Sequence, residues 1–212
     1  DVHGKWSAYQ KIIKKCGLSL QVGDFGAGFR SRKSGAFYKL PEEAMQKGHH
    51  YFIRGNHDNP EVCRQHPLCI GDGRTFSGIF CVGGARSIDR HVRTEGVDWW
   101  PVEELSYQEA CGVLDRYEEA KPSIVVTHDA PESITDWICV VGGLTKFPEE
   151  SLTRKLFNQM LEVHKPKLWV HGHWHIDHHC VNDDVEFIGL GELSYVDIDI
   201  PLQSASEEAE HG

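Results

Sequence analysis

The sequence has no C-x-x-C pair, no apolar run near the roughly 20 residues that a bilayer span requires, and no stretch that marks a linker to a second domain. Each absence excludes something. Its seven cysteines (16, 63, 69, 81, 111, 139 and 180) are odd in number and scattered, so they read as reduced structural thiols rather than a zinc site or a disulfide framework. Lacking a spanning run and a signal-peptide pattern, the chain reads as cytoplasmic and free of membrane contact. With no internal repeat or low-complexity block, its 212 residues read as a single domain over 1–202 and a flexible acidic tail over 203–212.

Basic residues are also scarce. Lys and Arg number 22 against 32 Asp and Glu, a net charge of −10, which disfavours long nucleic acid as a partner. A small phosphorylated substrate suits that balance better, and oligomeric state leaves no mark in the composition. The exception is the segment 25–41, where Arg30, Arg32, Lys33 and Lys39 stand without an acidic neighbour and form a candidate clamp for anionic substrate.

What the chain does contain is a repeated order of strand, polar cluster and helix. Trp6, Tyr9, Ile12, Ile13 and Cys16 fall on one helical face. Short apolar strands are expected over 18–22, 51–53, 79–82, 124–126 and 168–170, and helices over 41–47, from the capping box at Ser106 and Glu109 to about Glu119, and from Pro148 through Leu161. Residues 185–190 and 195–200 close the chain as strands, the former paired with 179–181 through a turn at Asn182-Asp183-Asp184. This alternation predicts α/β layers, with a site at the carboxyl ends of the strands.

Five polar clusters occupy those strand ends or the chain's start. They are Asp1-Val2-His3, Gly23-Asp24, Gly55-Asn56-His57-Asp58, Thr127-His128 and Gly172-His173-Trp174-His175. Carboxylate, imidazole and amide-oxygen donors suit two divalent cations, Mn first, with Fe, Ni, Zn or Mg as alternatives, and suit all-oxygen Ca less.

In type and order these clusters resemble the calcineurin-like metallophosphoesterase family: D-x-H, G-D, G-N-H-D, a lone histidine, then G-H-x-H. The resemblance implies a β-sandwich flanked by helices with a dinuclear metal site. It implies Asp1, His3 and His175 as ligands of one ion, Asn56, His128 and His173 as ligands of the other, and Asp24 bridging both. By the same resemblance a metal-bridging hydroxide would attack phosphorus in line, with His57 as general acid. A phosphatase, a phosphodiesterase or nuclease, and a non-catalytic metal-dependent scaffold remain as readings.

The match departs from the protein Ser/Thr phosphatases. Where they carry G-D-x-x-D-R-G, this chain has Gly23-Asp24-Phe25-Gly26-Ala27-Gly28-Phe29, which leaves His57 without an evident partner. On the substrate side, Arg86 after the strand 79–82 is a candidate phosphate contact, as are Arg54, Arg30 and Arg32. Trp99-Trp100 is either a stacking surface or core, and His50 reads as a surface histidine.

Overall fold

A computed structural model describes residues 1–31, 33–143 and 150–200. Arg32, the expected helix start at Pro148 and the C-terminal tail lie outside the described residues.

The strands form two sheets. In the smaller, β1 (Ser19–Gln21) runs parallel to β2 (His50–Phe52). The larger contains β3 (Arg74–Phe76), β4 (Ile79–Val82), β5 (Ile124–Thr127), β6 (Leu168–His171), β7 (His178–Asn182) and β8 (Val185–Gly189), in the order β3-β4-β5-β6-β8-β7. Strands β4, β5, β6 and β8 are parallel, and the edge strands β3 and β7 are antiparallel to their neighbours.

Helices cover both outer faces. Phe80, Val82, Val125, Trp169 and Phe187 point from one face of the larger sheet into a core shared with α4 (Tyr107–Ala120), α5 (Glu132–Val141) and α6 (Leu152–Val163). The alternate residues Ile79, Cys81, Ile124, Val126 and Val170 face Val22 and Ile53 across the gap between the sheets. On the far side of the smaller sheet, Phe52 packs with Phe25, Tyr9, Ile13, Met45 and Cys63 against α1 (Trp6–Ile13), α2 (Glu42–Lys47) and α3 (Pro60–Gln65). The result is a two-sheet sandwich between helical layers. Strands buried on both faces favour apolar residues at successive positions, which is why β4 and the first three residues of β5 read as unbroken apolar runs.

Local chemistry explains several elements. Ser106 and Glu109 close a full capping box at the start of α4. The turn expected at Asn182-Asp183-Asp184 is tighter, since Asn182 pairs with Val185 and leaves two residues, Asp183 and Asp184, both with positive φ, 52° and 65°.

Two expectations are corrected, and two helices went unforeseen. Residues 195–200 form no β-ladder among the described residues. Their alternation instead seats Ile198 and Ile200 against the core between the sheets, so the apolar period reflects packing rather than strand pairing. Helix α3 went unforeseen, being one turn and a half started by an Asn59 side chain that accepts from the N–H groups of Glu61 and Val62. Helix α5 also went unforeseen, although Ile134 and Ile138 lie four residues apart on its buried face. His50 is only 2% exposed, because the period of β2 puts it on the same face as Phe52, and its Nδ1 lies 2.9 Å from the Ser19 hydroxyl.

Candidate metal centre

Each polar cluster follows a parallel strand: Asp24 after β1, Asn56 and His57 after β2, His128 after β5, His173 and His175 after β6. Asp1 and His3 join them through backbone bonds, since the N–H groups of Val2 and His3 both donate to the carbonyl of Asp24, at 3.0 and 2.7 Å. The loops are tightly folded. His3, Asp24, His173 and His175 all have positive φ, between 48° and 68°, a conformation that non-glycine residues keep only when their surroundings over-determine it. A Cβ at Gly23 would collide with the His128 ring, and one at Gly55 with the Asp24 carboxylate.

The side chains form two groups with Asp24 between them. In the first, His175 Nε2 lies 2.8 Å from Asp1 Oδ2 and 2.9 Å from His3 Nε2. In the second, Asn56 Oδ1 lies 2.8 Å from His128 Nε2 and 2.9 Å from His173 Nδ1. Asp24 Oδ2 is 3.7 Å from His3 Nε2, while Asp24 Oδ1 is 3.4 Å from His128 Nε2. All seven residues expected from the sequence therefore converge. Asp1, His3 and His175 form one cluster of mutually close donor atoms, and Asp1, Asp24 and His128 another.

The protonation states suit cation binding. Burial pushes His3 down to about 4 and takes His173 well below its ordinary value; it lowers His175 as well, so these rings are neutral with lone pairs to give. Burial alone would raise the Asp24 carboxyl, but His128, His57 and His3 around it hold it well below the usual carboxylate range. The tautomer of His128 is set by its Nδ1, 2.8 Å from the carbonyl of Val22, which leaves Nε2 as the donor atom facing the site. His128 differs: burial would lower it, but Asp24 and the Val22 carbonyl raise it, so a cation there would take the place of a proton. Buried carboxylates, imidazole nitrogens and an amide oxygen turned inward fit a divalent-metal pair.

His57 sits beside the second group. Its N–H donates to Asp24 Oδ1 at 2.9 Å and its Nε2 is 4.0 Å from Asp24 Oδ2. The partner that the sequence left open is a main-chain group: Nδ1 lies 3.2 Å from the carbonyl of Asp98. Asp89 Oδ1 stands 3.5 Å from Nε2, with Asp89 Oδ2 held by Arg93.

Asp58, adjacent to His57, is fully buried. Its carboxylate accepts from the N–H groups of Phe25, Gly26, Ala27 and Gly55. Burial and the nearby Asp24 raise its pKa, and the backbone donors oppose them. Thus the stretch that lacks the Asp and Arg of the protein phosphatases spends its backbone on Asp58 instead.

The arginines divide differently. Arg54 is buried, donating from Nε to Asp72 Oδ2 at 2.9 Å and from Nη1 to the Glu103 carbonyl at 2.7 Å, so it braces the loop after β2. Arg86 lies 3.7 Å from Glu104. Arg30 is exposed, its guanidinium 3.9 Å above Phe37, and lines an open cavity with Lys33, Tyr38 and Arg93. Trp99 is half-buried, and its Nε1 donates to Glu103 Oε2 at 2.6 Å, which fixes the ring's orientation. Sequence reading missed Asp58, Asp98 and Glu103. Asp58 lay in plain view within the third motif, whereas nothing local marks Glu103 or a backbone carbonyl.

A two-sheet α/β sandwich with a buried carboxylate–imidazole cluster at its strand ends is the architecture of a metal-dependent hydrolase. The family model described as calcineurin-like phosphoesterase matches residues 1–177, and the chain belongs to that family. Its members hydrolyse phosphate esters with the help of metal ions. Comparison with curated proteins finds no match.

Proposed function

We propose that this protein is a dinuclear metal-dependent hydrolase of small phosphate esters. Asp1, His3 and His175 would hold one divalent ion, Asn56, His128 and His173 a second, and Asp24 both. The observation that carries this reading is the division of Asp24, whose two oxygens face different histidine groups. When bound, the two ions supply charge neutralisation at phosphorus and an activated water nucleophile. Manganese is the first candidate, because the donor set mixes imidazole nitrogen with carboxylate oxygen.

The chain's own residues do the rest. His57 carries a proton at Nε2 to the leaving oxygen, with its ring orientation fixed by the Asp98 carbonyl at Nδ1. Asp58 holds the loops bearing Asp24 and His57 in register through four backbone donors. Arg30 and Lys33 attract the anionic substrate from an exposed loop. The net charge of −10 favours a small phosphorylated substrate over long nucleic acid. No helix among the described residues is long and apolar enough to cross a membrane, and all seven cysteines are free thiols, which supports a reducing compartment such as the cytoplasm.

The test is a turnover screen of Mn²⁺-loaded protein on phosphomonoester and phosphodiester reporters, side by side with chelated protein. Metal-dependent release from either reporter is expected, and the ratio between them assigns monoester or diester preference. Loss of phosphoester turnover under every metal tried would favour a scaffold role and sink the proposal.

A further inference from the structure

Asn56 is the one amide among the seven residues of the cluster, and its usefulness depends on which way that amide points. With Oδ1 inward it offers a lone pair to a cation; turned over, it would present an NH₂ group to the same place. Its own rotation angle does not decide, since the two orientations have nearly the same shape. The surroundings must.

A buried chain of hydrogen bonds leads away from it. Asn56 Nδ2 donates to Ser87 Oγ at 2.8 Å. Ser87 Oγ donates to Glu103 Oε2, and Ser87 N–H donates to Glu103 Oε1 at 3.0 Å. Trp99 Nε1 donates to Glu103 Oε2 at 2.6 Å. Asn56, Ser87 and Glu103 are 1%, 2% and 5% exposed, so little water can stand in for a missing partner.

The polarity of this chain runs in one direction only. Burial raises the Glu103 carboxyl, while the three donors that converge on it pull the other way and favour the carboxylate, which offers acceptors alone. The single hydroxyl hydrogen of Ser87 is therefore committed to Glu103, and what Ser87 Oγ has left is a lone pair. That lone pair requires a donor from Asn56, which fixes Nδ2 outward and Oδ1 toward His128 and His173. Turning the amide over would set two acceptors against each other inside the core, where water cannot relieve them.

We infer that Ser87 and Glu103 are positioning residues that lock the amide of Asn56 and so set the affinity of the cation site it shares with His128 and His173. This rests on the dinuclear reading above. Trp99 completes the device by holding Glu103 from the loop side.

The experiment is calorimetric titration of metal-free protein with Mn²⁺, comparing wild type with Ser87→Ala, Glu103→Gln and Trp99→Phe. Asn56→Ala identifies which dissociation constant belongs to its site. In Glu103→Gln, either orientation of the new amide sets an NH₂ against an existing donor. Outer partners of metal ligands typically govern about 10–100-fold in affinity. Ser87→Ala and Glu103→Gln are expected to weaken the Asn56 site by that factor and leave the other site within about twofold. Trp99→Phe, a milder change on a half-exposed ring, should weaken the same site by less and keeps the test open if the buried variants fail to fold. Unchanged constants in every folded variant, or equal weakening of both sites, would overturn the inference while leaving the dinuclear reading intact. A wild-type protein that binds fewer than two ions would overturn the reading on which it stands.

Discussion

The carboxylate of Asp58 accepts a 2.7 Å hydrogen bond from the N–H of Gly26, tying the loop after β2 to the loop after β1. Oδ1 also takes the N–H of Ala27, and Oδ2 takes those of Phe25 and Gly55. Asp58→Asn must place an NH₂ against two of these donors whichever way it turns. At about 1–3 kcal/mol for each of the two buried donors left unmade, the variant should lose about 2–6 kcal/mol of stability. Urea unfolding checks this, and a loss below about 0.5 kcal/mol would show that the loops are held by other means.

Asp24 should matter to both ions and His175 to one. Elemental analysis of Mn²⁺-loaded protein is expected to give two ions per chain for wild type. Asp24→Asn should hold neither at full occupancy, whereas His175→Ala, altering a half-exposed ring at the rim, should keep the ion on the Asn56 side. Two ions retained in Asp24→Asn would contradict the shared-carboxylate assignment.

Replacing His57 with Ala should lower kcat by roughly 10²–10⁴-fold, the usual scale for a lost proton donor, with metal content unchanged. Its N–H bond to Asp24 survives the substitution, so the loops should keep their shape. The defect should shrink for p-nitrophenyl esters, whose leaving group needs no proton. Equal losses on p-nitrophenyl and alkyl esters would leave His57 a phosphate-positioning group.

Arg30 is exposed in a protein of net charge −10 and should act by long-range attraction. Arg30→Ala should raise KM several-fold at low ionic strength with little change in kcat. Exposed charges are screened over about 8–10 Å at ordinary salt, so the defect should fade as salt is added. Kinetics at two salt concentrations decide the matter, and a salt-independent KM change would mean direct contact.

Much of the site was legible because metal chemistry restricts residue types and strand ends fix their spacing. Asp1, His3, Asp24, Asn56, His128, His173 and His175 stand out in the sequence as candidate donors, and the structure brings all seven together. The layers were legible too, since strands buried on both faces favour successive apolar residues and α1, α4 and α6 each carry a one-sided apolar stripe. Short elements were not: α3 depends on a single Asn59 cap and β3 on pairing with β4, and neither leaves a period long enough to read.

What the sequence by itself determined was which seven candidate donors stand at the strand ends and the chain's start, the alternation of the longer strands and helices, and the acidic balance that disfavours long nucleic acid. Only the tertiary structure decided that Asp24 faces two histidine groups, that Arg54 braces a loop, that 195–200 packs without pairing, and that Asn56 is oriented through Ser87 and Glu103. The physical reason is range. Periodicity and ligand type are local properties of the chain, whereas a hydrogen bond between residues 31 positions apart, such as Asn56 to Ser87, exists only once the fold has excluded water from both ends.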